Sequence, residues 1–335
     1  MNLNILWFIL IGVLFVGYFF LEGFDYGVGM IYQFLGHSDT ERRVALNAIG
    51  PTWGANEVWL ITAGGAIFAA FPEWYATLFS GFYLALVLML LGLIARGVAL
   101  EYRSRHDKPG WRHMWDWALT IGSFIPALLW GVAVANLVRG VPINGQMNFT
   151  GNLLTLLNPY ALWSGLTMVI IFIAHGSYFL NMKTRGMVSH RAKQLVKPMG
   201  YIGAFMVLVL LIWSSTLSDL RLGAVPVAVG LISLILIAAA VVAEGHNRSR
   251  TAFFMHGIGI AFLTVSFFVA LFPRVMISSL NPHWSLTIYN AASNAYTLHV
   301  MTIVALTMVP IVLAYQVWTY WIFRRRVGTK TPLEY

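Results

Sequence analysis

The sequence predicts an all-α integral membrane protein, a bundle of nine transmembrane helices. Of the 335 residues, 59% are hydrophobic and 10% are charged, whereas soluble domains carry about 25% charged residues. The mean hydropathy is +0.74, and many apolar runs reach the roughly 20 residues that a helix needs to cross a bilayer. A transmembrane β-barrel would alternate polar and apolar residues, and the runs 84–93 and 231–242 do not alternate.

The predicted helices form one membrane domain that covers residues 1–335. The first apolar run, 5–21, lacks a basic segment before it, so we expect a retained span and not a cleaved signal peptide. The chain has no cysteine, which excludes disulfides, thiolate metal sites and iron–sulfur clusters. The nine helices are expected at about 5–34, 55–71, 76–99, 116–138, 159–182, 199–217, 223–243, 252–274 and 299–323.

The net charge of +9 lies in the short segments between the apolar runs and does not indicate a nucleic-acid-binding face. Segments after odd-numbered helices hold 17 of the 21 lysine and arginine residues, the other side holds Arg139, Arg221 and Arg274, and Arg96 lies inside a helix. Because positive loops stay in the cytoplasm, we expect the N-terminus outside and the C-terminus inside. The 17 are Arg42, Arg43, Arg103, Arg105, Lys108, Arg112, Lys183, Arg185, Arg191, Lys193, Lys197, Arg248, Arg250, Arg324, Arg325, Arg326 and Lys330.

Four charged residues fall within the predicted spans near their cytoplasmic ends. Glu22 and Asp25 are three apart and share a helical face, and Glu57 and Arg96 lie at similar depth on the next two helices. Each costs on the order of 2.5–3.5 kcal/mol at mid-membrane, so such residues pair with each other or serve a pathway. Two interpretations stay open, a structural salt-bridge cluster and a proton-conducting or proton-storing site. Gly23 and Gly27 form a small-xxx-small pair that would admit a close helix.

The histidines at or within the spans are His175, His256 and His299. A haem in a helical bundle needs axial ligands from facing helices, and no spacing here indicates such a pair, so we predict structural histidines. The 13 tryptophans, 14 tyrosines and 22 phenylalanines suit interface belts and helix packing, with some available to line a groove for a quinone tail. No nucleotide-binding or zinc motif occurs.

In many segments, in order along nearly the whole chain, the sequence resembles subunit II of cytochrome bd-type quinol oxidases. The segments that carry the resemblance are 23–30 (GFDYGVGM), 39–43 (DTERR), 47–53 (NAIGPTW), 58–66 (VWLITAGGA), 79–83 (FSGFY), 112–117 (RHMWDW), 121–124 (IGSF), 140–142 (GVP), 157–159 (LNP), 271–276 (LFPRVM) and 285–287 (SLT).

The resemblance implies a non-catalytic subunit of a quinol:O2 oxidoreductase in the bacterial inner (cytoplasmic) membrane. Subunit I would carry two b-type haems, one d-type haem and the quinol-oxidising loop, and this chain would stabilise it and line part of a proton route from the cytoplasm. We expect no haem on this chain. A bound quinone, surrounding lipids and a small single-helix accessory subunit are compatible with the resemblance, and nucleic acid is not expected as a partner.

The candidate proton-pathway residues are Glu57, Asp25, Glu22, Trp53 and Asn56, and the candidate ion-pair residues are Arg96 and Asp116. Two positions depart from the family pattern. The family commonly has a carboxylate directly after the tryptophan matching Trp53, where this chain has Gly54, and a second acid near the start of the last helix, where it has Asn290. Glu57 is about one helical turn beyond Gly54, so the acid is predicted to have moved by one turn.

An alternative function, an independent proton-coupled transporter or channel, would use the same buried carboxylates. Transporters often contain inverted repeats and helices broken at the midplane, and neither is evident in the sequence. Co-purification with a haem-rich membrane partner would distinguish the two classes.

Overall fold

A computed structural model describes residues 2–217 and 223–335. Arg221 and the predicted short loop between the sixth and seventh helices lie outside these residues. The described chain is mostly helical, with one two-stranded antiparallel sheet. The helices are α1 (Leu3–Leu35), α2 (Asp39–Ile49), α3 (Trp53–Ala70), α4 (Pro72–Gly81), α5 (Tyr83–Tyr102), α6 (Pro109–Arg139), α7 (Leu153–Leu156), α8 (Pro159–Lys183), α9 (Met187–Thr216), α10 (Ala224–Gly245), α11 (Ser249–Leu271) and α12 (Ala295–Ile322), and the strands are β1 (Arg274–Met276) and β2 (Leu286–Thr287).

An all-α membrane protein is confirmed, and eight helices in the described residues are long and apolar enough to cross a membrane. These are α1, α5, α6 and α8 to α12. The second predicted span, 55–71, is not among these eight; it is the 18-residue helix α3, whose first turns hold Asn56 and Glu57. These two polar residues lower its hydropathy, and nine spans therefore stay a prediction.

The predicted span 76–99 is wrong as a single helix, because the chain forms α4 and α5 there. Pro72 occupies the first turn of α4, a position where its fixed φ angle and missing N–H are tolerated. At Phe82 the backbone leaves the helical region, with φ −99° and ψ 14°, and α5 starts anew at Tyr83.

The predictions also missed helical residues outside the apolar runs. Helix α2 is amphipathic, and Ser38 caps it by accepting a hydrogen bond from Glu41 N. Helix α6 begins seven residues before the predicted 116, and α9 begins at Met187, with Pro198 inside it. Hydropathy detects the part of a helix that lies in lipid, so helical residues that extend into water are not counted.

Helix α1 lies at the centre of the bundle and packs against α3, α6, α8 and α11. It approaches α8 so closely at Gly27 that an added Cβ would collide with the carbonyl oxygen of Phe172 and lie 2.8 Å from Gly176 N. Gly176 has the same relation to Gly27, its Cβ position being 2.7 Å from Gly27 Cα. The small residues predicted to admit a neighbouring helix therefore do so against α8.

The two ends of the bundle differ in structure and in charge. At one end, the segments 140–158 and 272–294 pair through a bridge between Val141 and Ser278, and Asn4 Nδ2 donates to Ile288 O at 2.6 Å. The opposite end holds α2, the turns 103–109, 183–187 and 245–249, and the segment 323–335. The residues before α1 and after α12 therefore lie at opposite ends, and most lysines and arginines lie at the second one.

A buried carboxylate cluster as candidate functional site

Three carboxyl groups and one guanidinium meet between α1, α3 and α5. Glu22, Asp25 and Arg96 have no solvent-exposed surface. Arg96 Nη1 contacts Glu22 Oε1 directly, and the same nitrogen is 3.8 Å from Glu57 Oε1. The side chain of Glu57 is 21% exposed, so Glu57 is the point where the cluster meets the surface of the chain.

Asp25 is the end of a hydrogen-bonded chain that reaches the last helix. Asn56 Nδ2 donates to Asp25 Oδ2 at 2.7 Å, and Tyr320 Oη donates to Asn56 Oδ1 at 2.7 Å. Tyr320 lies on α12, so three helices contribute to one chain of polar groups. Sequence reasoning identified Asn56 but missed Tyr320, because no motif or spacing links residue 320 to residue 56.

A second polar path leaves the cluster along α1. The guanidinium carbon of Arg96 lies 4.8 Å from the centre of the Tyr26 ring, Tyr26 Oη hydrogen-bonds Tyr18 Oη, and Trp130 Nε1 donates to Tyr18 Oη at 3.2 Å. All of these side chains are buried. The signal for Tyr18 and Tyr26 was present in the sequence, since they lie four residues before and after Glu22 on the same helical face.

Most polar atoms of the cluster have no hydrogen-bond partner in the described residues. Both carboxylate oxygens of Glu22, Asp25 Oδ1 and all three guanidinium nitrogens of Arg96 lack an aligned hydrogen bond, although the ion-pair contact exists. A buried charge without a partner costs a large desolvation free energy. Three carboxyls share one guanidinium, so the group reaches neutrality when two of the carboxyls carry a proton.

The two positions that depart from the family pattern lie far apart. Gly54 is exposed on the first turn of α3, and a Cβ added there meets nothing within 4 Å. Trp53 packs its ring 3.3 Å from the Cβ position of Gly97 on α5. Asn290 is exposed in the turn before α12 and accepts from Thr287 N at 2.7 Å, at the end of the bundle away from the cluster.

Asp116 belongs to a separate ion-pair network beside α2. It accepts from Arg42 Nη1 at 2.7 Å, Arg103 Nε at 2.5 Å and Tyr32 Oη at 2.6 Å. Arg103 also bonds Asp39 at 3.0 Å. This network ties α1, α2, α5 and α6 together at one end of the bundle, whereas Arg96 serves the carboxylate cluster deeper inside.

The expectation that no histidines pair between facing helices is wrong. His175 on α8 and His256 on α11 stack with ring centres 5.3 Å apart, and their Nδ1 atoms are 3.4 Å apart. Both are fully buried, and His175 Nε2 donates to Phe20 O at 3.0 Å. His299 is exposed on α12.

This histidine pair does not fit a haem. A porphyrin held by both side chains would have to lie between rings that are already in contact, and His175 uses its second nitrogen on a backbone carbonyl. In the described residues no group of three or more His, Cys, Asp or Glu side chains could hold a metal ion. The absence of haem on this chain stays a prediction. It now rests on the contact between the two histidine rings and not on the lack of a histidine pair.

An apolar cavity of about 700 Å³ opens between α1, α3, α4, α5, α6 and α11. Its lining is aromatic and aliphatic, and Gly64 and Gly65 leave space along the α3 side. Such a cavity suits a hydrocarbon chain. Representative lining residues are Phe15, Trp74, Tyr75, Phe79, Trp130 and Phe267.

Together, the apolar helices and the buried carboxylate–arginine cluster between them define a polytopic membrane protein. A family model described as cytochrome bd terminal oxidase subunit II matches residues 3–323. The chain belongs to this family, as the resemblance predicted.

Relatives and a solved structure agree with this assignment. The chain is 43% identical to cytochrome bd ubiquinol oxidase subunit 2 of Bacillus subtilis, over 100% of this chain and 99% of that protein. It is 36% identical to cytochrome bd-I ubiquinol oxidase subunit 2 of Escherichia coli, over 99% and 97% respectively. A chain in the structure of bd oxidase from Geobacillus thermodenitrificans superposes with a TM-score of 0.76, covering 96% of this chain and 99% of that one. At 15% identity, this last similarity shows the fold alone.

Proposed function

We propose that this chain is the second subunit of a quinol-oxidising, oxygen-reducing complex of the bd type. Its partner, subunit I, carries two b-type haems and one d-type haem, oxidises quinol and reduces O2 to water. This chain stabilises the partner and lines part of a route by which protons from the cytoplasm enter the complex. The complex lies in the bacterial inner membrane with the N-terminus of this chain outside and its C-terminus in the cytoplasm, and a small single-helix subunit is a further partner.

The observation that carries the proton role is the carboxylate cluster itself. A group of three carboxyls and one guanidinium holds protons in order to stay neutral, and it can release or accept one at low electrostatic cost because its neighbours are ionisable. Glu57 is the cluster's exposed member, with the side chain 21% exposed. Protons therefore enter at Glu57 and pass to Glu22 and Asp25, with Asn56 and Trp53 positioning the first turns of α3.

In this complex the haems supply electron transfer and oxygen chemistry. The buried pair of His175 and His256 does not fit a haem, and the contribution of this chain is to pack against the partner and to hold protons. The 700 Å³ apolar cavity has the size and lining for the isoprenoid tail of a quinone that stays bound as a structural component.

Co-purification tests the proposal. We expect an affinity-tagged form of this chain, expressed with its haem-bearing partner, to isolate a complex that consumes O2 with quinol as the electron donor. The same chain expressed alone should give no stoichiometric b- or d-type bands in a reduced-minus-oxidised spectrum. A chain that isolates without any haem protein and instead moves protons by itself in liposomes would contradict the proposal and favour an independent transporter.

A further inference from the structure

Two segments distant in sequence meet at the end of the bundle that carries most of the positive charge. Thr184, which follows α8, forms a parallel bridge with Val327, which follows α12. Arg185 N donates to Val327 O at 2.8 Å, and Val327 N donates to Lys183 O at 2.9 Å. The backbone therefore fixes the end of α8 beside the end of α12.

This contact gathers five cationic residues, which we call the basic cluster: Lys183, Arg185, Arg324, Arg325 and Arg326. Two of them hold the segments together. Arg326 donates to Thr184 O at 2.9 Å and to Asn181 O at 3.0 Å, and Lys183 Nζ donates to Phe323 O. Arg185, Arg324 and Arg325 are exposed.

The basic cluster has no carboxylate to balance it. Within residues 2–217 and 223–335, no ion pair includes any of its five members, although the same end of the chain contains ion pairs of Arg42, Arg103, Arg112 and Arg191. Its charge is therefore available to an anion from outside the chain.

The basic cluster lies next to the exposed apolar surface of α12. On the preceding turns of α12, Trp318 is 54% exposed and Trp321 is 59% exposed, and the Arg324 guanidinium carbon lies 4.3 Å from the Trp321 ring centre. Tryptophan prefers the boundary between hydrocarbon and headgroups. The cations thus stand at the depth of the phosphate groups of a surrounding bilayer.

From this placement we infer that the basic cluster is a binding site for the phosphate of an anionic phospholipid. The headgroup phosphate lies between Arg185, Arg324 and Arg325, and the acyl chains run along α12 past Trp321 and Trp318. Basic residues beside a membrane surface attract anionic lipid by charge, and here the bridge between Thr184 and Val327 adds a fixed geometry. The inference is independent of the proton role of the carboxylate cluster.

The test uses the intact complex in nanodiscs that contain mostly phosphatidylcholine and a minor fraction of photoactivatable phosphatidylglycerol. We expect cross-links to peptides that contain residues 183–185 and 318–327. The double variant Arg324→Gln/Arg325→Gln should lower this capture about 25-fold, because each basic residue near an anionic lipid contributes about fivefold in affinity. The matched control Arg248→Gln/Arg250→Gln removes the same charge from the N-terminal end of α11 and should leave capture unchanged.

Haem content of each variant verifies that the complex is assembled, and photoactivatable phosphatidylcholine measures capture without net headgroup charge. Equal capture of the two lipids by the parent, or equal capture of phosphatidylglycerol by the parent and the double variant, would overturn the inference. So would full displacement by excess inorganic phosphate, which would indicate a site for a free anion, or cross-linking of the basic cluster to the partner protein in place of lipid.

Discussion

Replacing Glu22 by glutamine removes the carboxylate in direct contact with Arg96. Both side chains are fully buried, and breaking a buried pair from one side typically costs about 3–5 kcal/mol. Here ionisation of Asp25 or Glu57 offsets part of this cost, but neither carboxyl contacts Arg96 as closely as Glu22 does. Glu57→Gln makes the same chemical change in the same cluster, but Glu57 is 3.8 Å from Arg96 and 21% exposed. Because Glu57 lies farther from the guanidinium than Glu22 does and is partly exposed, its loss removes a weaker interaction, so this variant should assemble normally.

The assay is the haem content and the thermal inactivation of the purified complex. Since the net stability of a protein is about 5–15 kcal/mol, we expect Glu22→Gln to lower the yield of haem-loaded complex several-fold and Glu57→Gln to match the parent. Adding Arg96→Met to Glu22→Gln removes the stranded charge and should recover part of the yield. A Glu22→Gln complex as abundant and as heat-resistant as Glu57→Gln would refute the ion-pair argument.

Three further predictions concern helix packing, the orientation of the chain and an ion pair of α2. Gly27→Ala should destabilise the complex by about 1–3 kcal/mol, because its Cβ collides with α8, whereas Gly245→Ala at the end of α10, which meets nothing within 4 Å, should melt like the parent. A reporter active outside the membrane, fused after Tyr335, should be inactive, and strong activity would reverse the orientation expected from the charge distribution. Partial burial acts to raise the pKa of Glu41, but hydrogen bonds from Arg191 and from the backbone N–H groups of His37 and Ser38 outweigh it and hold this pKa below its ordinary value of 4.5. Because the folded-state pKa is lowered, the stabilisation is present above the ordinary value and is lost as the pH falls through the folded-state value. Arg191→Gln should therefore lower the melting temperature at neutral pH and lower it by less in acid, where only the hydrogen bond from Arg191 to Leu35 O is lost, and an equal deficit at both pH values would show that the ion pair is not the cause.

Features that depend on hydropathy along the chain could be predicted from the sequence. The apolar runs predicted the positions of most spanning helices. The segments predicted to carry most lysines and arginines lie together with α2 at one end of the bundle, and the two strands lie at the other end. Hydropathy could not predict the break at Phe82, because the residues around it, 79 and 81–86, are apolar and the non-helical backbone at Phe82 leaves no polar signal.

The candidate site was predictable along one helix and not between helices. The spacing of Glu22 and Asp25 predicted that they share one face of α1. Their predicted depth in the membrane, which Glu57 and Arg96 share, suggested these two residues as neighbours. Helical spacing contains no information on which helix lies opposite, so the chain from Asp25 through Asn56 to Tyr320 was missed. The same limit explains the wrong expectation for His175 and His256, which are separated by 81 residues and stack through the packing of α8 on α11.

Proton uptake during oxygen reduction tests the central claim most directly. Glu57→Gln keeps the shape of the side chain but removes its titration, so in liposomes the complex should reduce O2 and separate charge more slowly at unchanged haem content. Gly54→Asp restores a carboxylate about one turn away, roughly 4.5 Å along the helix, at a position with open space, and in the Glu57→Gln background it should recover part of the rate. Turnover and charge separation at the parent rate across the neutral pH range in Glu57→Gln would contradict a proton route through this cluster.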